Sequence, residues 1–331
     1  MKLIKNNKQF FIGLGVILPL AIIIPLFIKV PFPIHVMILI CIWAIMGMGW
    51  NLIGGYAGQV SNGHAFFYGI GAYACGIGMS YFRVSPWITM WIGVAISVAV
   101  AFLLGKPLLR LKGHYFAVAT MAVAECGRII FLNWGAVGGA TGVDFLNKDL
   151  PSWYTLQFTS KLPCYYIFLA FTVGILLLTK ILDKSKFGYY LRAIKANEES
   201  AESIGINTTK YKLLAYMLSA GIVSLAGSLY ANYLQYIDPY VLMPLNISMM
   251  ICLVAVIGGV GTVIGPIIGA VVLTAISEYT RATFASINGF DLFLYGALVI
   301  IIVSYMPNGL IQLFKKRLKP TTLPVVKGES Q

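Results

Sequence analysis

Charged side chains set in apolar surroundings are the residues best placed to do chemistry here, and the sequence holds two pairs at helical spacing. Glu125 and Arg128 stand three residues apart inside one apolar run, and Glu278 and Arg281 repeat that spacing near the end of another. An i, i+3 separation puts both members on one helix face, where each can neutralise the other. Charges at such depth are costly and functional by default, and a pair of this kind could exchange contacts with a zwitterionic solute. A self-satisfied structural pair is the competing reading. The histidines His35, His64 and His114 each begin an apolar run, His35 at one face and the other two at the opposite face. Across a ~30 Å apolar core they cannot share a metal or haem, and each is expected to be a hydrogen-bonded structural residue.

Other reaction chemistry is missing from the pattern. Gly105-Lys106 is followed by Pro107 and has no preceding glycine pattern, so the chain holds no phosphate-binding loop and no ATP site of its own. Neither His-Glu-x-x-His nor Gly-x-Ser-x-Gly occurs, which argues against a membrane protease or lipase. Cys41, Cys75, Cys126, Cys164 and Cys252 are scattered without a Cys-x-x-Cys motif and read as small core hydrophobes. No metal site and no cofactor bound by this chain are expected.

The elements that position these residues follow from composition. The 331 residues are 59% hydrophobic and only 11% charged, far below the roughly 25% charged of a soluble domain. Apolar runs of about 20 residues recur from end to end, which predicts an all-α polytopic membrane protein in the lipid bilayer. Ten spans are expected, over 10–29, 34–53, 64–82, 86–105, 114–133, 164–181, 213–235, 245–263, 266–286 and 291–311. The run from Phe10 is too long for a signal-peptide core, so residues 10–29 read as a first span. Both termini are expected in the cytoplasm, because this threading places 18 of the 24 Lys and Arg on the inner side. The net charge of +13 thus reports orientation and not a nucleic-acid partner. Residues 1–314 form one membrane domain, with an outer loop over 134–163 and an inner one over 183–212, and 315–331 form a basic cytoplasmic tail.

The inner loop is the strongest signal in the chain. Asp183–Lys212 carries ten of the 35 charged side chains. Within it Ile194, Ala201 and Ile204 lie near one helical stripe, Lys195 and Glu199 form an i, i+4 pair, and Gly205 is a natural stop. A narrow apolar stripe of this kind suits insertion into a partner's groove, against the plainer reading of a linker helix lying on the membrane. On the outer side, the aromatic and Gly-rich 134–163 segment is either an ordered loop or a platform for a further partner. Two Gly-rich breaks, Gly54–His64 and Gly258–Pro266, both open with Ile-Gly-Gly about 204 residues apart. Broken or re-entrant helices of this type line substrate paths in transporters, and close helix packing through small residues is the alternative. Gly58, Gln59, Ser61, His64, Gly259 and Gly261 are therefore pathway candidates.

Several stretches taken together resemble the LivM-type permeases of branched-chain amino-acid ABC importers. They are Gly55-Tyr56-Ala57-Gly58-Gln59-Val60-Ser61 with Gly63-His64, then Leu109–Ala117, the Leu191–Gly205 loop with Lys212–Tyr216, Gly258–Thr262 with Gly265-Pro266, and Met306–Leu310. The blocks fall in family order over most of the chain. Asn62 departs from the usual leucine and His114 from the usual isoleucine-like residue. The resemblance implies a transport subunit, not an enzyme, in a bacterial inner membrane, working by alternating access. It implies a second homologous permease, expected as a heterodimer partner, two cytoplasmic ATPase subunits that bind ATP and Mg, and an extracytoplasmic solute-binding protein. The 183–212 segment would be the coupling loop, with Arg192, Glu198, Glu199, Ala201, Glu202 and Gly205 as its coupling residues. Urea and short-amide permeases share nearly the same blocks and are the alternative family reading. An ion-coupled secondary carrier is the rival from another class, although Glu125 is the main intramembrane carboxylate available to it.

Overall fold

The computed structural model describes residues 18–28, 30–111, 113–145, 151–158 and 160–284, with Gly15 and scattered positions between 293 and 311. The N-terminal lysines, most of the first half of the 10–29 span, about half of the 291–311 span and the 315–331 tail lie outside the described residues. The chain is helical: α1 (Leu18–Phe27), α2 (Pro31–Trp50) with a π-helical extension Asn51–Tyr56, α3 (His64–Ser80), α4 (Pro86–Leu108) and α5 (His114–Asn133). There follow β1 (Val143–Asp144), α6 (Ser152–Thr155), α7 (Lys161–Lys184), α8 (Lys186–Ala196), α9 (Glu198–Ser203) and α10 (Thr208–Leu234). β2 (Tyr236–Ile237), α11 (Pro239–Leu242), α12 (Leu245–Gly259) and α13 (Gly265–Thr283) complete the described order.

Among the described residues six helical stretches are long and apolar enough to cross a membrane: 31–56, 86–108, 114–133, 161–184, 208–234 and 239–259. These six correspond to six of the ten expected spans, and two of the remaining four, 10–29 and 291–311, lie partly outside the described residues. α3 has only 17 residues, and the polar last turns of α13, Ser277 to Thr283, dilute its apolar character. The apolar stretches also differ in place. The 31–56 and 208–234 helices are 83% and 72% buried within the protein, against 33% for 86–108 and 22% for 114–133, so the first two are central and the last two face outward.

Small residues make α10 the hub. Its Ser219–Ser228 segment is buried throughout, and Ser228 Oγ donates to Gly71 O of α3 at 2.8 Å. A Cβ on Gly71 would sit 1.9 Å from Ser224 O, and one on Gly227 would sit 1.9 Å from Tyr68 O. Backbones that approach this closely gain dispersion contacts that lipid cannot supply, which is how helices associate where the hydrophobic drive is absent. The α12–α13 hairpin closes in the same way, with Gly258 against Gly265 O and Gly269 against Val254 O. At this hairpin the packing reading of the Gly-rich segment holds.

The bundle has two distinct ends. One carries the 57–63 connection, the polar helices α8 and α9, and the α12–α13 turn. The other carries residues 134–145 and 151–158, the first of these stretches held by pairing of β1 with β2, Val143 opposite Ile237. Trp87 Nε1 donates to Trp153 O at 3.0 Å and Tyr154 hydroxyl to Arg83 O at 3.1 Å, so α6 is tied down while Trp134 and Trp153 stay exposed.

Candidate functional site, a capped polar elbow

The polar stretch folds into two short helices, not one, because Asn197 is extended (φ −160, ψ 118) between them. Each piece is started by a polar side chain that accepts an otherwise orphaned backbone N–H. Ser185 accepts from Gly188 N ahead of α8, Asn197 from Ser200 N ahead of α9, and Asn207 from Lys210 N ahead of α10. Gly205 closes α9 at φ +85, with its N–H donating to Glu202 O and that of Ile206 to Ala201 O. That left-handed geometry is what glycine supplies at a helix C-terminus.

Ion pairs fasten this elbow to the long helices on either side. Arg192 bonds the carboxylate and the carbonyl of Asp183 at the end of α7 and lies over the Tyr189 ring at 4.8 Å. Glu198 pairs with Lys212 of α10, whose side chain is only 4% exposed, so the carboxylate neutralises a buried cation. Glu202 accepts from Thr208 Oγ1. Ile194 and Ala201 are buried, whereas Ile204 is 75% exposed. The outward apolar stripe expected from the sequence is thus divided. Ile194 and Ala201 hold the elbow to the bundle, and Glu199, Ser203 and Ile204 form its free surface. The Lys195–Glu199 pair does not form, because the break at Asn197 takes the two off a common helix face.

Lys195 instead donates to Gly55 O at 2.8 Å, and its stem covers Gly58, where a Cβ would lie 3.0 Å from Lys195 Cγ. Burial of the ammonium end lowers its pKa below the ordinary lysine value. The second break joins the same cluster. Asn51 Oδ1 accepts from Gly261 N at 2.8 Å, and Asn51 Nδ2 donates to Thr262 O at 2.9 Å. The two Gly-rich breaks therefore meet at the elbow end, bridged by one asparagine and capped by one lysine. Both lie in connections between consecutive helices. The signal for Asn51 is in the sequence, since an amide at the end of an apolar run needs buried partners.

The remaining candidates separate. Gly58 is exposed, Gln59 half-buried, and Ser61 and His64 fully buried. Ser61 O accepts from Trp50 Nε1 at 2.7 Å, and His64 Nε2 and Ser219 Oγ lie 2.7 Å apart in a hydrogen bond. Gly259 (φ +132) and Gly261 (φ +74) have backbones that L side chains rarely adopt. His35 Nδ1 is hydrogen-bonded to Tyr233 hydroxyl at 2.6 Å, and His114 is exposed. Both expected ion pairs form within their own helices. Arg128 Nε reaches Glu125 Oε2 at 3.0 Å, and Arg281 lies 3.6 Å from Glu278. Of the cysteines, Cys126 is exposed on α5 and so is not a core residue.

Bundled apolar helices, with a capped, ion-paired polar elbow at one end, define a multi-pass membrane protein. Residues 32–303 match the family described as the permease component of the branched-chain amino acid transport system, and the chain belongs to that family. It is 27% identical to the high-affinity branched-chain amino acid transport permease LivM of Salmonella typhimurium, over 84% of this chain and 69% of that protein. It is 26% identical to LivM of Escherichia coli (86% and 71%) and 24% identical to the companion permease LivH of Escherichia coli (81% and 91%). Among solved structures it is similar to PsaBC from Streptococcus pneumoniae in complex with Fab, 14% identical at a TM-score of 0.46, over 94% of this chain and 99% of that one.

Proposed function

We propose that this chain is a permease subunit of an ABC importer that moves branched-chain or related hydrophobic amino acids by alternating access. It would sit in the bacterial cytoplasmic membrane with the elbow inside, paired with a second homologous permease. Two ATPase subunits would bind ATP and Mg, and an extracytoplasmic binding protein would deliver the solute to the 134–158 end. The observation that carries this reading is the elbow itself. It is rigidly capped, ion-paired to α7 and α10, hydrogen-bonded through Lys195 to the end of α2, and yet presents Glu199, Ser203 and Ile204 outward. A partner pushing on that surface would move three long helices together, as a two-state coupling element requires.

The test is affinity purification of the tagged chain expressed with its genomic neighbours, followed by uptake in proteoliposomes. ATP-binding subunits should co-purify, and ATP should drive leucine, isoleucine or valine inward. Uptake of urea or acetamide in place of these would assign the solute to the short amides. Uptake of any solute without ATP-binding subunits, driven by an ion gradient, would overturn the importer reading.

A further inference from the structure

A groove of about 630 Å³ runs between two of the outward helices. Residues 87–98 of α4 form one wall, residues 167–178 of α7 the other, and residues 218–225 of α10 line its floor. No charged, hydroxyl or amide side chain lines it, so a polar solute finds no partner there. Trp91 and Leu178 stand exposed at its lips, and nothing lies within 4 Å of a Cβ added to Gly174 on the α7 wall. Along either wall the lining extends about 16 Å at ~1.5 Å per residue. That is about half of a ~30 Å hydrocarbon core, the depth of a single leaflet.

The α6 end of the groove reaches a polar rim. Trp87 lines the groove and donates Nε1 to Trp153 O, with Trp153 and Tyr154 exposed beside it. Indole and phenol rings so placed mark headgroup depth. Tyr154 hydroxyl in turn holds Arg83 O, and Arg83 is exposed with no ion pair among the described residues.

We propose that the α4–α7 groove is a binding site for an anionic phospholipid, with one acyl chain along its walls and the phosphate at Arg83. The length selects the occupant, since a transmembrane helix of a partner needs about 20 residues and the full core, whereas an acyl chain needs one leaflet. The charge selects the headgroup, since a basic side chain at the membrane surface attracts anionic lipid. The bound chain braces α7, whose last turn carries the Asp183 that Arg192 of the elbow holds. This site requires only a membrane-spanning bundle and does not depend on the importer reading.

The experiment places a photo-cross-linker in the groove of the full-length chain, as Ala170→p-benzoylphenylalanine, in nanodiscs of equal phosphatidylglycerol and phosphatidylcholine with identical chains. Irradiation should attach phospholipid, with phosphatidylglycerol favoured about fivefold, the share of one basic side chain at a membrane surface. Arg83→Gln should keep the adduct and bring the two lipids to parity. Gly174→Phe, which fills the groove where an added side chain meets no neighbour, should remove the adduct. The same cross-linker at Ile92, exposed on α4 outside the groove, should capture both lipids equally with or without Gly174→Phe. A polypeptide adduct at position 170, or capture there that matches position 92 and ignores both substitutions, overturns the site. Should Gly174→Phe fail to insert, the headgroup preference and its loss in Arg83→Gln decide alone, and equal capture of the two lipids by the parent overturns the proposal.

Discussion

The Lys195 ammonium donates to the Gly55 carbonyl at 2.8 Å, joining the polar elbow to the end of the most buried helix. Gly55 sits in the π-helical turn that continues α2, where backbone carbonyls lack their usual i+4 donors. Asn51 in the same turn holds Gly261 and Thr262 of the α12–α13 connection. One lysine therefore links α8, α2 and, through Asn51, the α12–α13 pair.

Replacing this lysine should separate assembly from transport. Lys195→Met keeps the stem that covers Gly58 and removes only the donor. Stability should fall by about 1.5 kcal/mol, the low end for a bond from a charged group because the residue is otherwise exposed. ATP-binding subunits should still co-purify, while uptake per ATP hydrolysed falls several-fold. Unchanged uptake stoichiometry in proteoliposomes would show that the lysine is not part of the coupling.

A pH dependence follows from the same residue. Burial lowers the Lys195 pKa in the folded protein below its ordinary 10.5. Between the lowered value and 10.5 the unfolded chain binds more protons, so this group makes stability rise with pH across that window and contributes no slope below it. The difference in melting temperature between the parent and Lys195→Met should be constant below that window and widen toward pH 10. A difference independent of pH would remove the lysine as its source.

Much of this arrangement was legible in the sequence, and the limits have physical causes. The polar elbow, its stop at Gly205 and the two self-paired i, i+3 sets follow from local spacing alone. The break at Asn197 was hidden because asparagine is tolerated inside helices as well as at their caps, where its side chain here accepts from Ser200 N. The meeting of the two Gly-rich breaks depends on a contact between residues about 210 apart, which no local pattern carries. Six of the ten expected spans meet the length and apolarity of a crossing helix, whereas α3, sheltered by its neighbours, has only 17 residues, a difference that a hydropathy window does not register.

Glycines of different function should respond differently to substitution. A Cβ on Gly227 would meet Tyr68 O at 1.9 Å, so Gly227→Ala forces α3 and α10 apart and should abolish stable expression. At Gly205 no atom lies within 4 Å of an added Cβ, and the cost is only that of a left-handed backbone, about 1–2 kcal/mol. Gly205→Asn should therefore be nearly neutral in melting temperature and Gly205→Ala mildly destabilising. Gly205→Glu, which adds charge to the free surface of the elbow, should leave the protein inserted but lose ATP-driven uptake. Full uptake by Gly205→Glu would end the coupling role of this turn.

Two neighbouring glutamates provide the sharpest comparison. Glu198 neutralises Lys212, which is almost wholly buried, while Glu199 is exposed on the outer face of α9. Removing one partner of a buried pair strands the other charge, at about 3–5 kcal/mol for a fully buried case and less here because Glu198 remains 31% exposed. Glu198→Gln should lower the melting temperature of the purified chain clearly, and Lys212→Met on that background should restore most of the loss by removing the stranded cation. Glu199→Gln should leave stability unchanged. Its effect should instead be on partner binding, as weaker retention of the ATP-binding subunits at raised salt. Equal melting temperatures for Glu198→Gln and Glu199→Gln would mean that the Lys212 pair does not hold the elbow in place.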